Sequence, residues 1–129
     1  MRQHVYRHDA LEPVEIRPGL HGTIIEGDRT TLVRWQLPAG GARTGMHEHP
    51  EHEQYGLLLE GALEMYIEDQ RIELRAGDMY WVPAGTPHGA TLVLGETDAV
   101  LLDIFSPPRE DYLAAARDNA PTDPSATSQ

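Results

Sequence analysis

Two stretches decide how this chain is read: GARTGMHEHPEHEQYGLLLEG at residues 41–61 and GDMYWVPAGTPH at residues 77–88. His47 and His49 are two positions apart. Side chains at i and i+2 of an extended chain share a face, so both imidazoles can aim at one point. Gln54 opens the next apolar run, and His88 closes the second stretch. Imidazole nitrogens with an amide or carboxylate oxygen make a donor set for a divalent first-row metal. Zinc, nickel, manganese, iron and cobalt all accept that set. The expectation is therefore one divalent transition metal ion of open identity.

Outward from this centre the chain alternates short β-prone runs with turn residues. Upstream, residues 1–17 read as a mixed polar arm with a short strand near Val14–Ile16, followed by a turn at Pro18 and Gly19. His21–Glu26 is a β-prone run, and Thr30–Leu37 sets Leu32, Arg34 and Gln36 against Val33, Trp35 and Leu37. Such alternation marks a half-buried strand. Pro38 and the residues after it form a breaker loop that leads into a His47–His49 strand. Downstream, strands are expected at Gln54–Glu60, Ala62–Glu68, Arg71–Arg75, Met79–Val82, Ala90–Leu94 and Asp98–Phe105, with Gly61 as a tight turn or bulge. Strands this regularly spaced, with Gly, Pro and Asp turns between them, argue for an all-β sandwich or barrel. Arg109–Arg117 is helix-prone, acidic early and basic late, as the helix dipole prefers. Residues 120–129, rich in Pro, Ser and Thr, are expected to fray. The whole reads as a single domain over residues 1–119, its barrel core spanning about 20–106, with a tail at 120–129.

Composition removes several functions. The 129 residues contain no cysteine and carry a formal charge of -11. Without cysteine there is no disulfide, no thiolate catalysis and no Cys-based zinc site. Lysine is absent as well, which rules out Schiff-base chemistry through a lysine. Phosphate backbones are gripped by clustered Lys and Arg, so no nucleic acid partner is expected. The apolar runs are too short to span a membrane. Residues 1–10 lack the apolar core of a signal peptide. A cytoplasmic location agrees with these features.

The stretch DAVLLDIFSPPREDYL at residues 98–113 is the second informative cluster. On a strand, Leu101, Asp103 and Phe105 share one face and Val100, Leu102 and Ile104 the other. The second face is wholly apolar and reads as core. A carboxylate among apolar neighbours is costly unless it is paired or used, so Asp103 is expected to line the barrel rather than face solvent. Arg109 either opens the helix or clamps a substrate carboxylate with its planar guanidinium.

Taken together, the two stretches resemble the paired motifs of a small single-domain cupin. Gly41, His47, His49, Gln54 and Gly61 match the first motif, and Gly77, Pro83, Gly85 and His88 the second. Leu92 stands where the second motif usually carries Asn. The resemblance implies a cupin jelly-roll barrel, a double-stranded β-helix, with a short C-terminal helix after it. It also bears on the third ligand. Glu53 and Gln54 point to opposite faces of a strand, so only one can ligate. Counting six residues back from Gly61 selects Gln54, and counting three on from His49 selects Glu53. Gln54 is chosen because the turn before the strand tolerates a length change and the strand does not. Glu53 then faces outward or braces a ligand, and His52 is a loop residue.

With Asp103, Phe105 and Arg109 added, the pattern resembles the KdgF-type cupins of pectin and alginate breakdown. That resemblance implies a metal held by His47, His49, Gln54 and His88, and a pocket lined by Asp103, Phe105 and Arg109. It implies an enzyme that opens the ring of 4,5-unsaturated monouronates to the linear keto form, acting on a small anionic sugar acid. A homodimer using an N-terminal strand or an exposed sheet face is expected. Two rival readings are an iron-dependent cupin dioxygenase and a non-catalytic metal- or sugar-binding sensor.

Overall fold

The structure, a computed structural model, describes residues 3–119. After a 3-10 turn at His8–Ala10 the strands are β1 (Val14–Arg17), β2 (Leu20–Glu26), β3 (Thr31–Leu37), β4 (Met46–His47) and β5 (Glu53–Glu60). They continue as β6 (Ala62–Ile67), β7 (Gln70–Arg75), β8 (Met79–Val82), β9 (His88–Leu94) and β10 (Ala99–Ser106), and one helix, α1 (Glu110–Asn119), follows. The expected tail at 120–129 lies outside the described residues.

All pairings are antiparallel, in a six-stranded sheet ordered β1-β2-β3-β10-β5-β8 and a four-stranded sheet ordered β4-β9-β6-β7. This is the all-β jelly roll, with its hydrogen bonding in two sheets. Inward side chains of both sheets make one core, in which Val33, Leu58, Leu63 and Phe105 are almost fully enclosed. The alternation read in β3 holds: Val33, Trp35 and Leu37 are buried, and the residues between them are half-buried. Gly61 takes a left-handed φ of +83° at the β5–β6 corner, where a Cβ would sit 2.8 Å from the Asp98 carbonyl. Only glycine tolerates both constraints.

Two expectations are corrected. The His47–His49 segment is not one strand: β4 stops at His47, and His49 lies in the loop beyond it. His49 is instead pinned by its carbonyl, which accepts a hydrogen bond from the Gly85 amide at 2.9 Å. In β10 the wholly apolar face reads from sequence as core, yet Val100, Leu102 and Ile104 are only half-buried while Leu101, Asp103 and Phe105 are buried. The physical reason is that the inner face of this sheet carries the polar site. The outer face holds an apolar surface of its own. Register places Ile104, Tyr55 and Trp81 in one row across three strands, and Leu102, Leu57 and Met79 in the next.

Helix α1 starts one residue later than expected and runs two further, to Asn119. It packs on β1 and β2. Before it, the Arg109 amide donates to the Thr31 hydroxyl at 2.8 Å, which ties the helix entry to β3. Tyr112 drops into the core edge-on to Trp35 and Phe105, with ring centroids 5.5 Å away in each case. No helix among the described residues is long and apolar enough to cross a membrane.

Candidate metal centre

The site forms where the two sheets face each other. In the smaller sheet, β4 and β9 pair so that His47 and His88 stand directly opposite, with ring centroids 4.5 Å apart. The pinned loop brings His49 to 4.9 Å from His47 and 5.0 Å from His88. One nitrogen from each ring lies within 4.8 Å of the others. From the larger sheet, β5 points Gln54 inward, 4 % exposed, and its Oε1 reaches 3.1 Å from His88 Nε2. Glu53, its neighbour, faces away and accepts a hydrogen bond from the Trp81 indole at 2.9 Å. His52 stays in the loop, with Nδ1 2.7 Å from the Pro107 carbonyl.

Hydrogen bonding shows what these groups fit. The Thr86 carbonyl, an acceptor only, lies 2.9 Å from His88 Nδ1, so that nitrogen carries the proton. Burial lowers the His88 pKa, so the ring is neutral and Nε2 is bare. Two lone pairs, Nε2 of His88 and Oε1 of Gln54, therefore meet without a proton between them. That arrangement is unfavourable alone and favourable toward a cation. Burial and the neighbouring His88 hold His47 down to about 4, and burial with the Arg109 guanidinium holds His49 down to about 3. Neutral imidazoles are the form that binds metal. The residues present thus fit a divalent ion bound by His47, His49, His88 and Gln54.

Asp103 lies on the same interior, 5 % exposed. Its Oδ2 accepts from the Trp35 indole at 2.9 Å, and its Oδ1 accepts from the Tyr80 hydroxyl. Burial pushes its carboxyl up to about 6, against the pull of those donors. Phe105, on the same face, meets the His49 ring edge-on at 5.9 Å. A cavity of about 550 Å³ opens here, lined by His47, Gln54, His88, Asp103 and Phe105 among others. That volume suits a small molecule.

Arg109 is placed differently from a simple clamp. It is 3 % exposed and does not line the cavity. Asp111 takes its fork, with Nε at 2.8 Å and Nη2 at 2.6 Å. Only Nη1 points to the site, 3.2 Å from His49 Nε2, and the single lone pair that accepts this hydrogen bond would pass to the ion in the loaded site. The guanidinium also stacks over the Tyr112 ring, 3.7 Å from its centroid. Arg17 does line the cavity, exposed at the end of β1. Among the described residues no carboxylate pairs with it. Sequence reasoning missed Arg17, Tyr80 and Trp35. Arg17 gives no local signal, whereas β3 and β8 alternation aims Trp35 and Tyr80 inward.

Comparison with known proteins agrees with this geometry. The family model described as Cupin domain matches residues 33–105. The pectin degradation protein KdgF of Dickeya dadantii (strain 3937) is 36% identical over 99 residues, which is 77% of this chain and 88% of that protein. The H2HPP isomerase of Bacillus subtilis is 28% identical over 103 residues, 80% of this chain but 43% of its own length. Among solved structures, KdgF from Halomonas sp. superposes with a TM-score of 0.74 at 30% identity, covering 82% of this chain and 96% of that one.

Proposed function

As the chain belongs to the cupin domain family, we propose that it is a metal-dependent enzyme that opens the ring of a 4,5-unsaturated monouronate to the linear keto form. The observation that carries this reading is the buried Asp103 carboxyl, which shares one cavity with His47, His88 and Gln54, beside the ring of His49. The name of the Dickeya dadantii relative points to pectin as the source of the substrate.

His47, His49, His88 and Gln54 would hold the ion. A bound divalent ion supplies Lewis acidity toward a substrate oxygen. The chain's own residues do the rest. With a pKa near 6, Asp103 can both accept and return a proton near neutrality. It takes the proton of the anomeric hydroxyl as the C1–ring oxygen bond breaks. The ring oxygen leaves as an enolate, and C4 receives the proton to give the keto form. The step is an isomerisation, so it needs no oxidant or reductant. Phe105 packs against the sugar. The guanidinium of Arg17 at the mouth meets the uronate carboxylate, and Arg109 adds positive potential behind His49. In a chain of net charge -11, these arginines mark the cavity for an anion.

The test is direct. Unsaturated galacturonate and mannuronate absorb in the ultraviolet through the C=C bond conjugated to the carboxylate, and ring opening removes the band. Metal-replete protein is expected to speed that loss over the spontaneous rate, and Asp103→Asn to reduce it by roughly 10²–10⁴-fold. If neither sugar is consumed faster than spontaneously, the ring-opening reading fails. Oxygen uptake with an iron-loaded sample would then favour the dioxygenase.

A further inference from the structure

Three inward residues stand in one row across neighbouring strands: Asp103 on β10, Gly56 on β5 and Tyr80 on β8, with Asp103 opposite Gly56 and Gly56 opposite Tyr80. Gly56 sits mid-strand, where glycine weakens a sheet unless another group needs the space. Here that group is the Tyr80 phenol: a Cβ on Gly56 would collide with the ring. The ring lies across the bare backbone, and its hydroxyl reaches Asp103. The same oxygen accepts from Gln54 Nε2 at 3.0 Å.

The direction of these bonds is fixed from one end. The Trp35 indole can only donate, and it donates to Asp103 Oδ2. The Asp103 carboxylate can only accept, so Tyr80 must donate to it. The Tyr80 oxygen is then left to accept, and what it accepts is the amide N–H of Gln54. A glutamine side chain has two dissimilar ends. With the nitrogen taken by Tyr80, the oxygen faces the histidines, 3.1 Å from His88 Nε2. We infer that Tyr80, seated over Gly56, is a positioning residue that transmits the acceptor character of Asp103 to Gln54 and so presents the Gln54 carbonyl, not its NH₂, to the metal. This deepens the metal reading above and rests on it.

The expected signature is a dependence on which residue stands at 54. Cobalt(II) is titrated at pH 8 into metal-free protein against a chromophoric chelator, with no substrate present. Tyr80→Phe keeps the ring and removes the hydroxyl. It is expected to weaken cobalt affinity by roughly 10–100-fold, as loss of a group that orients a ligand does. A carboxylate offers oxygen at either end and needs no orienting. In a Gln54→Glu background the same change is therefore expected to alter affinity by less than about 3-fold, since the orienting term is gone. Equal losses in both backgrounds would mean that Tyr80 merely supports the fold, and would overturn the inference. So would unchanged affinity in the Gln54 background.

Asp103→Asn tests the same chain from its other end if Tyr80→Phe does not fold. Trp35 claims the Asn oxygen, so the Asn NH₂ faces Tyr80. The phenol proton then finds an acceptor only if Gln54 turns its oxygen away from the histidines. A comparable loss of cobalt affinity, rescued by Gln54→Glu, is the expected result, and full affinity of Asp103→Asn with Gln54 in place would overturn the inference. The outcomes separate from those of the uronate assay. A protein that shows the cobalt dependence but turns over no uronate keeps this inference and loses the proposed reaction. One that turns over uronate with no cobalt dependence on Tyr80 does the reverse.

Discussion

Burial of Asp103 should be readable as a pH-dependent difference in stability between the protein and Asp103→Asn. The carboxyl is raised from 3.8 to about 6 by desolvation, which outweighs the Trp35 and Tyr80 hydrogen bonds that favour the charge. The folded state therefore holds this proton more tightly than the unfolded state. The stabilisation is complete below pH 3.8, is lost as pH rises, and is gone above about pH 6. That rise in pKa corresponds to about 3 kcal/mol in full. Between pH 5 and pH 7 the same two values give a loss of about 1 kcal/mol. Asn carries no such proton, and the histidines titrate in both proteins, so subtraction isolates the one group. Urea unfolding of metal-free samples at pH 5, 6, 7 and 8.5 measures it, provided the two proteins share one m-value. Asp103→Asn should gain about 1 kcal/mol on wild type from pH 5 to 7 and nothing further by pH 8.5. A constant difference across that range, or wild type gaining on the variant, would refute the claim that burial dominates at Asp103.

Three further outcomes are expected. Removing one of three imidazoles from a mutually close cluster should empty it, so His49→Ala is expected to lose most bound metal by elemental analysis. Unchanged occupancy would count against the whole centre. Arg17 faces the cavity with no carboxylate partner among the described residues. Arg17→Gln should therefore raise KM for the uronate by roughly 10-fold, the low end for a charged hydrogen bond at a wet site, with kcat within about 2-fold. A fall in kcat with KM unchanged would move Arg17 from binding to the chemical step. The exposed Tyr55, Leu59, Met79 and Trp81 on the outer face of the larger sheet suit a second copy of the chain, since a two-fold pairing covers both apolar faces at once. Light scattering should find a dimer that Trp81→Arg converts to monomer, and a monomeric wild type would dispose of that assembly.

The jelly roll was legible because strand alternation and turn residues are local properties, set by the two-residue period of an extended backbone. β8 falls where the pattern puts it, and β3 buries the side chains it should. Motif spacing likewise named the three histidines that come together. The choice between Glu53 and Gln54 could be framed from sequence, since neighbours on a strand face opposite ways. Which face is inner depends on the partner sheet, and the structure turns Gln54 inward. The same limit misassigned Val100, Leu102 and Ile104: apolar character shows that a face avoids water, not which of two surfaces receives it.

What only the tertiary structure decided is how distant residues share protons and charges. Trp35 and Asp103 are 68 residues apart in the chain and one hydrogen bond apart in space. Arg109 reads from sequence as a helix opener or as a clamp for a substrate carboxylate, yet Asp111 and the Tyr112 ring hold it, and Arg17 from the first strand stands at the mouth instead. Gly56 gives no hint in its own stretch of what fills its place, because the phenol that does so comes from β8. Periodicity fixes where a side chain points relative to its neighbours in the chain. Burial, and with it the raised carboxyl of Asp103 and the lowered imidazoles, follows from which strands are brought face to face.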